Sequence, residues 1–152
     1  MSEGQVKRGP IRRIVGAYHW VKALDEEREH GPPAALRRIE RMEARMPLRY
    51  FERAYKAFLL FHSDRTPEAD EILYALEKSL ADPRNANERY VQLFCQFYGR
   101  FRDSTLEEAD QIWLAAEDLR CSPMLRRYLR LYRKPSLAYA NPRPPAREEE
   151  RA

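Results

Sequence analysis

Apolar residues return along this chain at steps of three and four, in blocks divided by proline and small polar residues. Ile14, Tyr18, Val21 and Leu24 set this period over about 11–30, and Gly31-Pro32-Pro33 closes it. Leu36, Ile39, Met42 and Met46 mark a second block, about 33–46, with Pro33 in a first turn where its missing N–H costs nothing. Phe51, Tyr55, Phe58 and Phe61 carry a third, about 47–62. A fourth, about 67–81, opens on Thr66 as N-cap and Pro67, buries Ala69, Ile72, Leu73, Leu76 and Leu80, and breaks at Asp82-Pro83. Val91, Phe94, Phe97 and Phe101 run through a fifth, about 87–102. Thr105 to Glu108 fits a capping box before the sixth, about 105–121, where Ala109, Ile112, Trp113 and Ala116 are expected to face inward. Ser122-Pro123 opens the seventh, about 123–133, with Leu125, Tyr128, Leu129 and Tyr132. With only five glycines in the chain, the pattern predicts an all-α domain of about seven helices.

Two of these blocks are copies. Residues 68–83 (EADEILYALEKSLADP) and 108–123 (EADQIWLAAEDLRCSP) align without a gap and agree at seven positions, from Glu68/Glu108 to Pro83/Pro123. The same offset of 40 carries Arg49-Tyr50 onto Arg89-Tyr90 and Phe61 onto Phe101, and Arg127-Tyr128 echoes the pair again at 38. A fixed period of this size predicts stacked helical hairpins, here about 48–83 and 88–123. Ala69–Leu73–Leu76 and Ala109–Trp113–Ala116, each followed by a closing proline, resemble the second helix of tetratricopeptide (TPR) repeats over about 49–123. The period departs from that family's, which is about 34. Pro83 and Pro123 stand later than its pattern, and its first-helix Trp, Leu-Gly and Tyr signature is absent. The resemblance implies a short α-solenoid of antiparallel hairpins, and scaffolding and peptide binding rather than catalysis.

The chain has 152 residues, 43% hydrophobic and 34% charged, which suits a single domain with a real core. Its organisation reads as a flexible basic N-terminus (1–10), a helical domain (11–133) and a proline-rich, charged, disordered tail (134–152). No run of 18 apolar residues spans a membrane, and MSEGQVKRGPIRR lacks the apolar core of a signal peptide, so a cytoplasmic location is expected. Cys95 and Cys121 have no metal-site or secreted-type spacing and read as buried thiols.

The net charge of +4 sits at the two ends, leaving 14–133 neutral. Inside that body the signs sort by helix. The first helices of the hairpins, and the last helix, are basic; the second helices, 66–82 and 105–121, are acidic. In a solenoid this makes a basic first-helix face. The candidate partner-binding residues are therefore Arg49, Tyr50, Arg53, Lys56, Arg89, Tyr90, Arg126, Arg127, Arg130 and Arg133, with guanidinium forks for carboxylates and flat tyrosine area beside them. The competing expectation is that basic and acidic helices pair with one another.

Catalytic chemistry is not announced. His19, His30 and His62 lack ligand spacing, Glu68/Asp70 and Glu108/Asp110 are explained by helix N-termini, and no Gly-rich phosphate loop is present. The expectation is a non-enzymatic protein-interaction module without metal or cofactor: an adaptor, small chaperone or accessory subunit that binds an acidic segment. The alternative is nucleic-acid association through the basic termini and the Arg37–Arg45 stripe. Helix 11–30 is a candidate homodimer contact, and its acidic second half argues against a membrane surface.

Overall fold

The computed structural model describes residues 8–99 and 106–131. These residues form seven α-helices and no strand: α1 Pro10–His30, α2 Pro32–Glu43, α3 Tyr50–Phe61, α4 Thr66–Ser79, α5 Ala86–Gly99, α6 Leu106–Glu117 and α7 Pro123–Tyr128. No helix among them is long and apolar enough to cross a membrane. The expected tail 134–152, the Thr105 cap, Phe101 and Arg133 lie outside the described residues.

Each helix packs on the next in chain order from α1 to α6, and α3 also packs on α5. Short connections enforce this. Gly31 alone links α1 to α2, at a φ of 88° that a residue with a Cβ rarely adopts. Asn85 Oδ1 accepts the Glu88 N–H at 2.9 Å and caps α5. Thr66 is the first residue of α4 rather than its cap, a role that falls to Arg65. The start of α3 at Tyr50 instead of Pro47 has a specific cause: Glu52 reaches back to accept the Arg49 N–H at 2.8 Å.

The expected inner face of α1 holds at Leu24 and is inverted at Ile14, Tyr18 and Val21. Its core face is Gly16, Trp20, Ala23 and Leu24, while Ile14, Tyr18 and Val21 point outward. Packing decides between the two faces. The Trp20 indole stacks on Tyr128 at 3.8 Å between ring centroids and meets Phe51 and Tyr55 edge-on at 5.4 and 5.3 Å. A second aromatic group, Phe58, Phe61, Phe94, Phe97 and Tyr98, joins α3 to α5.

The two copies of the repeat match in burial. Ala69 and Ala109 are buried, as are Leu76 and Ala116, while Ile72 and Ile112 are half-buried. They differ at Leu73, which is buried, and Trp113, which is half-buried. One buried polar position also repeats. Glu52 and Gln92 stand 40 residues apart, both below 8% exposed, and each accepts a hydrogen bond from the arginine three residues before it, Arg49 or Arg89.

The helix expected over 123–133 ends at Tyr128, where the C-cap Leu129 leaves helical geometry (φ −98°, ψ 82°), and α5 holds the backbone beyond it. The Tyr90 and Tyr98 hydroxyls donate to the carbonyls of Leu129 (2.6 Å) and Arg130 (2.8 Å), and the Tyr128 hydroxyl donates to the Trp20 carbonyl (2.9 Å). The terminal segment thus lies across α1, α3 and α5. Arg8, inside the stretch expected to be flexible, is buried on Glu52.

Two histidines make stability depend on pH. His62 packs on Phe58 with ring centroids 4.5 Å apart, and burial pushes its pKa below the usual histidine value. Burial does the same to His19, helped by Arg38, whose Nη1 lies 3.1 Å from its Nδ1. With the folded pKa depressed, the unfolded chain takes up protons first. The contribution is therefore present above the unfolded value of about 6.5 and lost as pH falls below it. The melting temperature should drop between about pH 7 and about pH 5, and His62→Gln should flatten that slope. A melting temperature constant across this range contradicts the assignment.

Candidate functional site

The basic residues expected on one surface are mostly occupied within the chain. Arg49 bonds Glu52 (3.3 Å) and lies over the Phe51 ring, Lys56 bonds Glu43 of α2 (2.6 Å), and Arg89 bonds Gln92. Arg53 and Tyr50 are half-buried, and Arg127 is exposed. Tyr90 does not offer flat contact area to a partner, because it is 2% exposed and donates its hydroxyl inward to Leu129. Burial raises its pKa more than nearby Arg126 lowers it, so the phenol stays a donor. On α2, Arg38 is bound to Glu26 at 2.5 Å, whereas Arg37 and Arg41 are exposed, as is Arg45 in the turn that follows the helix.

Three of the predicted residues do converge. Tyr90 of α5, Arg126 of α7 and Arg130 line an open pocket of about 140 Å³ together with Trp113, Ala116 and Glu117 of α6 and Leu131. Arg126 closes the end of α6: its Nη2 donates to the carbonyls of Ala116 and Leu119, both at 2.6 Å, and its guanidinium lies 5.0 Å from the Tyr90 ring centroid. Carbonyl oxygens satisfy a guanidinium's protons without neutralising its charge. The pocket therefore keeps the positive charge of Arg126, with exposed Glu117 as the carboxylate in its lining. Arg130 differs. It lies over the Phe58 ring, and its Nη2 sits 2.5 Å from both oxygens of Glu27, which also accepts the Tyr55 hydroxyl at 2.6 Å.

What this arrangement offers is recognition of one anionic group beside a flat indole. The volume is well below the roughly 300–1,000 Å³ of small-molecule sites. Among the described residues no three His, Cys, Asp or Glu side chains are grouped to hold a metal. Burial raises the pKa of the Cys95 thiol and keeps it un-ionised, while free Cys121 is half-buried. Trp113 and Glu117 were not singled out as site residues by sequence. The available signal was the change from Leu73 to Trp113 at the same place of the repeat, a large indole where the first copy has an aliphatic side chain.

In comparisons with known proteins, the chain matches no family model, no curated protein and no solved structure.

Proposed function

We propose that this protein is a non-enzymatic interaction module that takes an acidic side chain of a partner protein into the Trp113–Arg126 pocket. The observation that carries this reading is the Arg126 guanidinium, held by two backbone carbonyls beside the half-buried Trp113 indole, in a space of one side chain whose lining carries one carboxylate, Glu117. The stacked helical elements, like the TPR-type hairpins they resemble in sequence, suit an adaptor or accessory subunit. Free Cys95 and Cys121 suit a reducing cytoplasmic setting. The binding surface is narrower than the whole basic first-helix face, since Arg49, Lys56, Arg89 and Arg130 already have partners.

Calorimetric titration with a Glu-rich decapeptide and its Gln counterpart tests it. The acidic peptide should bind in the micromolar range, and Trp113→Ala or Arg126→Gln should weaken it by about tenfold or more, the scale of one charge-assisted hydrogen bond. Equal binding of the two peptides contradicts the reading.

Exposed Arg37 and Arg41, four residues apart on α2, with exposed Arg45 in the turn after it, favour a second reading, binding to phosphates of a nucleic acid. Here affinity for an oligonucleotide should fall steeply with salt, and reversal of these three charges should abolish it. Binding that survives the reversal removes this alternative.

A further inference from the structure

The two flanks of α2 carry opposite charge, divided by its buried row Ala35, Ile39 and Met42. Glu40 and Glu43 lie on one flank, where Arg65 (3.3 Å) and Lys56 of α3 (2.6 Å) bond them. Arg38 and Arg41 lie on the other, beside α1. Arg45 follows in the next turn, its N–H still bonded to the Met42 carbonyl at 3.0 Å. Arg38 sets what this flank can do. Its Nε donates to Glu26 of α1 at 2.7 Å, and its Nη1 lies 3.1 Å from Nδ1 of His19. A guanidinium only donates, so Nδ1 accepts and the neutral ring carries its proton on Nε2. That N–H has no partner among the described residues, and Arg41 and Arg45 make no hydrogen bond or ion pair with them.

The charges around His19 are unbalanced. Burial, and then the fields of Arg38, Arg45 and Arg41, hold its pKa below the usual histidine value, while Glu26 works the other way. The Glu26 carboxylate is already taken by Arg38, through Nε and through Nη2 at 2.5 Å. Asp25 and Glu29, the exposed acids of α1, stand about 80° or more round the helix from His19. Lys22 and Arg28, each three residues from Asp25, offset them. On its own helix His19 otherwise meets Tyr18 edge-on at 5.6 Å. Like charges grouped in this way repel, and an added anion relieves the repulsion.

We propose that this cluster is a phosphate-binding site, with the guanidiniums of Arg41 and Arg45 and the Nε2–H of His19 as its donors. A phosphate presents enough oxygens for forked arginine bonds and a separate imidazole bond, where a carboxylate has two. Arg38 is a positioning residue, because its bond to Nδ1 fixes the ring and its tautomer. Arg37 stands farther round α2 from the buried row and lies outside the donor set. The inference rests on the phosphate reading given above for the chemistry of its ligand, and it is independent of the Trp113–Arg126 pocket.

Proton magnetic resonance of the full chain tests it, following the three histidines, with the His19 signal assigned by its loss in His19→Gln. Millimolar inorganic phosphate, compared with sodium chloride at equal ionic strength, should raise the His19 pKa by about one unit, as an anion at contact distance does. His30 and His62 should keep theirs. Arg41→Gln with Arg45→Gln should remove most of the phosphate-dependent shift, and Arg37→Gln should retain it. Oligothymidylate separates the two sources of phosphate. A larger shift than inorganic phosphate gives at equal phosphate concentration supports the site as part of a nucleic-acid surface. A His19 shift with inorganic phosphate and no oligonucleotide binding supports the site and removes the nucleic-acid reading. An oligonucleotide that binds while His19 stays unmoved overturns the site and leaves that reading standing. A His19 pKa unmoved by both probes, or an undiminished shift in the Arg41/Arg45 variant, also overturns the inference.

Discussion

Replacing Glu52 with alanine should lower the free energy of unfolding by about 3–5 kcal/mol, the cost of leaving one partner of a buried ion pair alone. The side chains of Arg8 and Glu52 are 2% and 0% exposed. Arg8 Nη2 lies 2.5 Å from Glu52 Oε1 and donates to the Pro47 carbonyl at 3.1 Å, while Nη1 donates to Oε2 at 3.2 Å. The same carboxylate accepts the Arg49 N–H at the start of α3. Gly16 makes room for this guanidinium, since a Cβ there would collide with Arg8 Nη1. Removing the carboxylate strands a charge with no route to water. Replacing both residues by leucine removes the charge as well as its partner, so that double variant should recover much of the loss. Urea titration at neutral pH measures both. A loss below about 1 kcal/mol for Glu52→Ala would show that the pair is solvated, contrary to its burial.

Trp20→Ala should cost a similar amount, about 3–5 kcal/mol, through the cavity it leaves. Trp20 touches Phe51 and Tyr55 on α3 and stacks on Tyr128, and its carbonyl accepts the Tyr128 hydroxyl. Its own indole N–H is buried without a partner among the described residues, so its value lies in the rings. The loss should show first in the terminal segment. Arg126, Arg127 and Arg130 become trypsin sites once Tyr128 no longer docks, so limited proteolysis should cut there in Trp20→Ala while the rest of the chain resists. Tyr128→Phe keeps the stack and loses one hydrogen bond, about 1 kcal/mol. An unchanged digestion pattern in Trp20→Ala would contradict this role for Trp20.

The helices were legible because their signals are local: a period near 3.6, proline in first turns, glycine or asparagine at ends. What was not legible depends on distant competition. Leu129 continues the apolar period of α7, yet the helix ends before it, and hydroxyls from α5 hold the carbonyls of Leu129 and Arg130. The α1 sequence carries two apolar faces, and the one with more large aliphatic residues turned outward because only the other brings Trp20 and close-packing Gly16 and Ala23 to the core. The charges show both limits. Arg49 and Glu52 are three residues apart, so their pairing was readable. Arg130 and Glu27 are 103 apart, and only the fold joins them. At the candidate site, Tyr90, Arg126 and Arg130 were found by charge and repeat position, although the hydroxyl of Tyr90 turned inward. Trp113 and Glu117 were missed as site residues because the repeat pattern assigns the tryptophan place to the core.

The central claim is that an acidic side chain enters the Trp113–Arg126 pocket. Trp20 and Trp113 are the two tryptophans of the chain, so the indole N–H region of a nitrogen–proton correlation spectrum contains two signals. One is buried in the core and the other lines the pocket. Titration with the Glu-rich decapeptide should move the Trp113 signal saturably and leave the Trp20 signal in place. Heat of binding with the Trp113 signal unmoved would contradict the assignment.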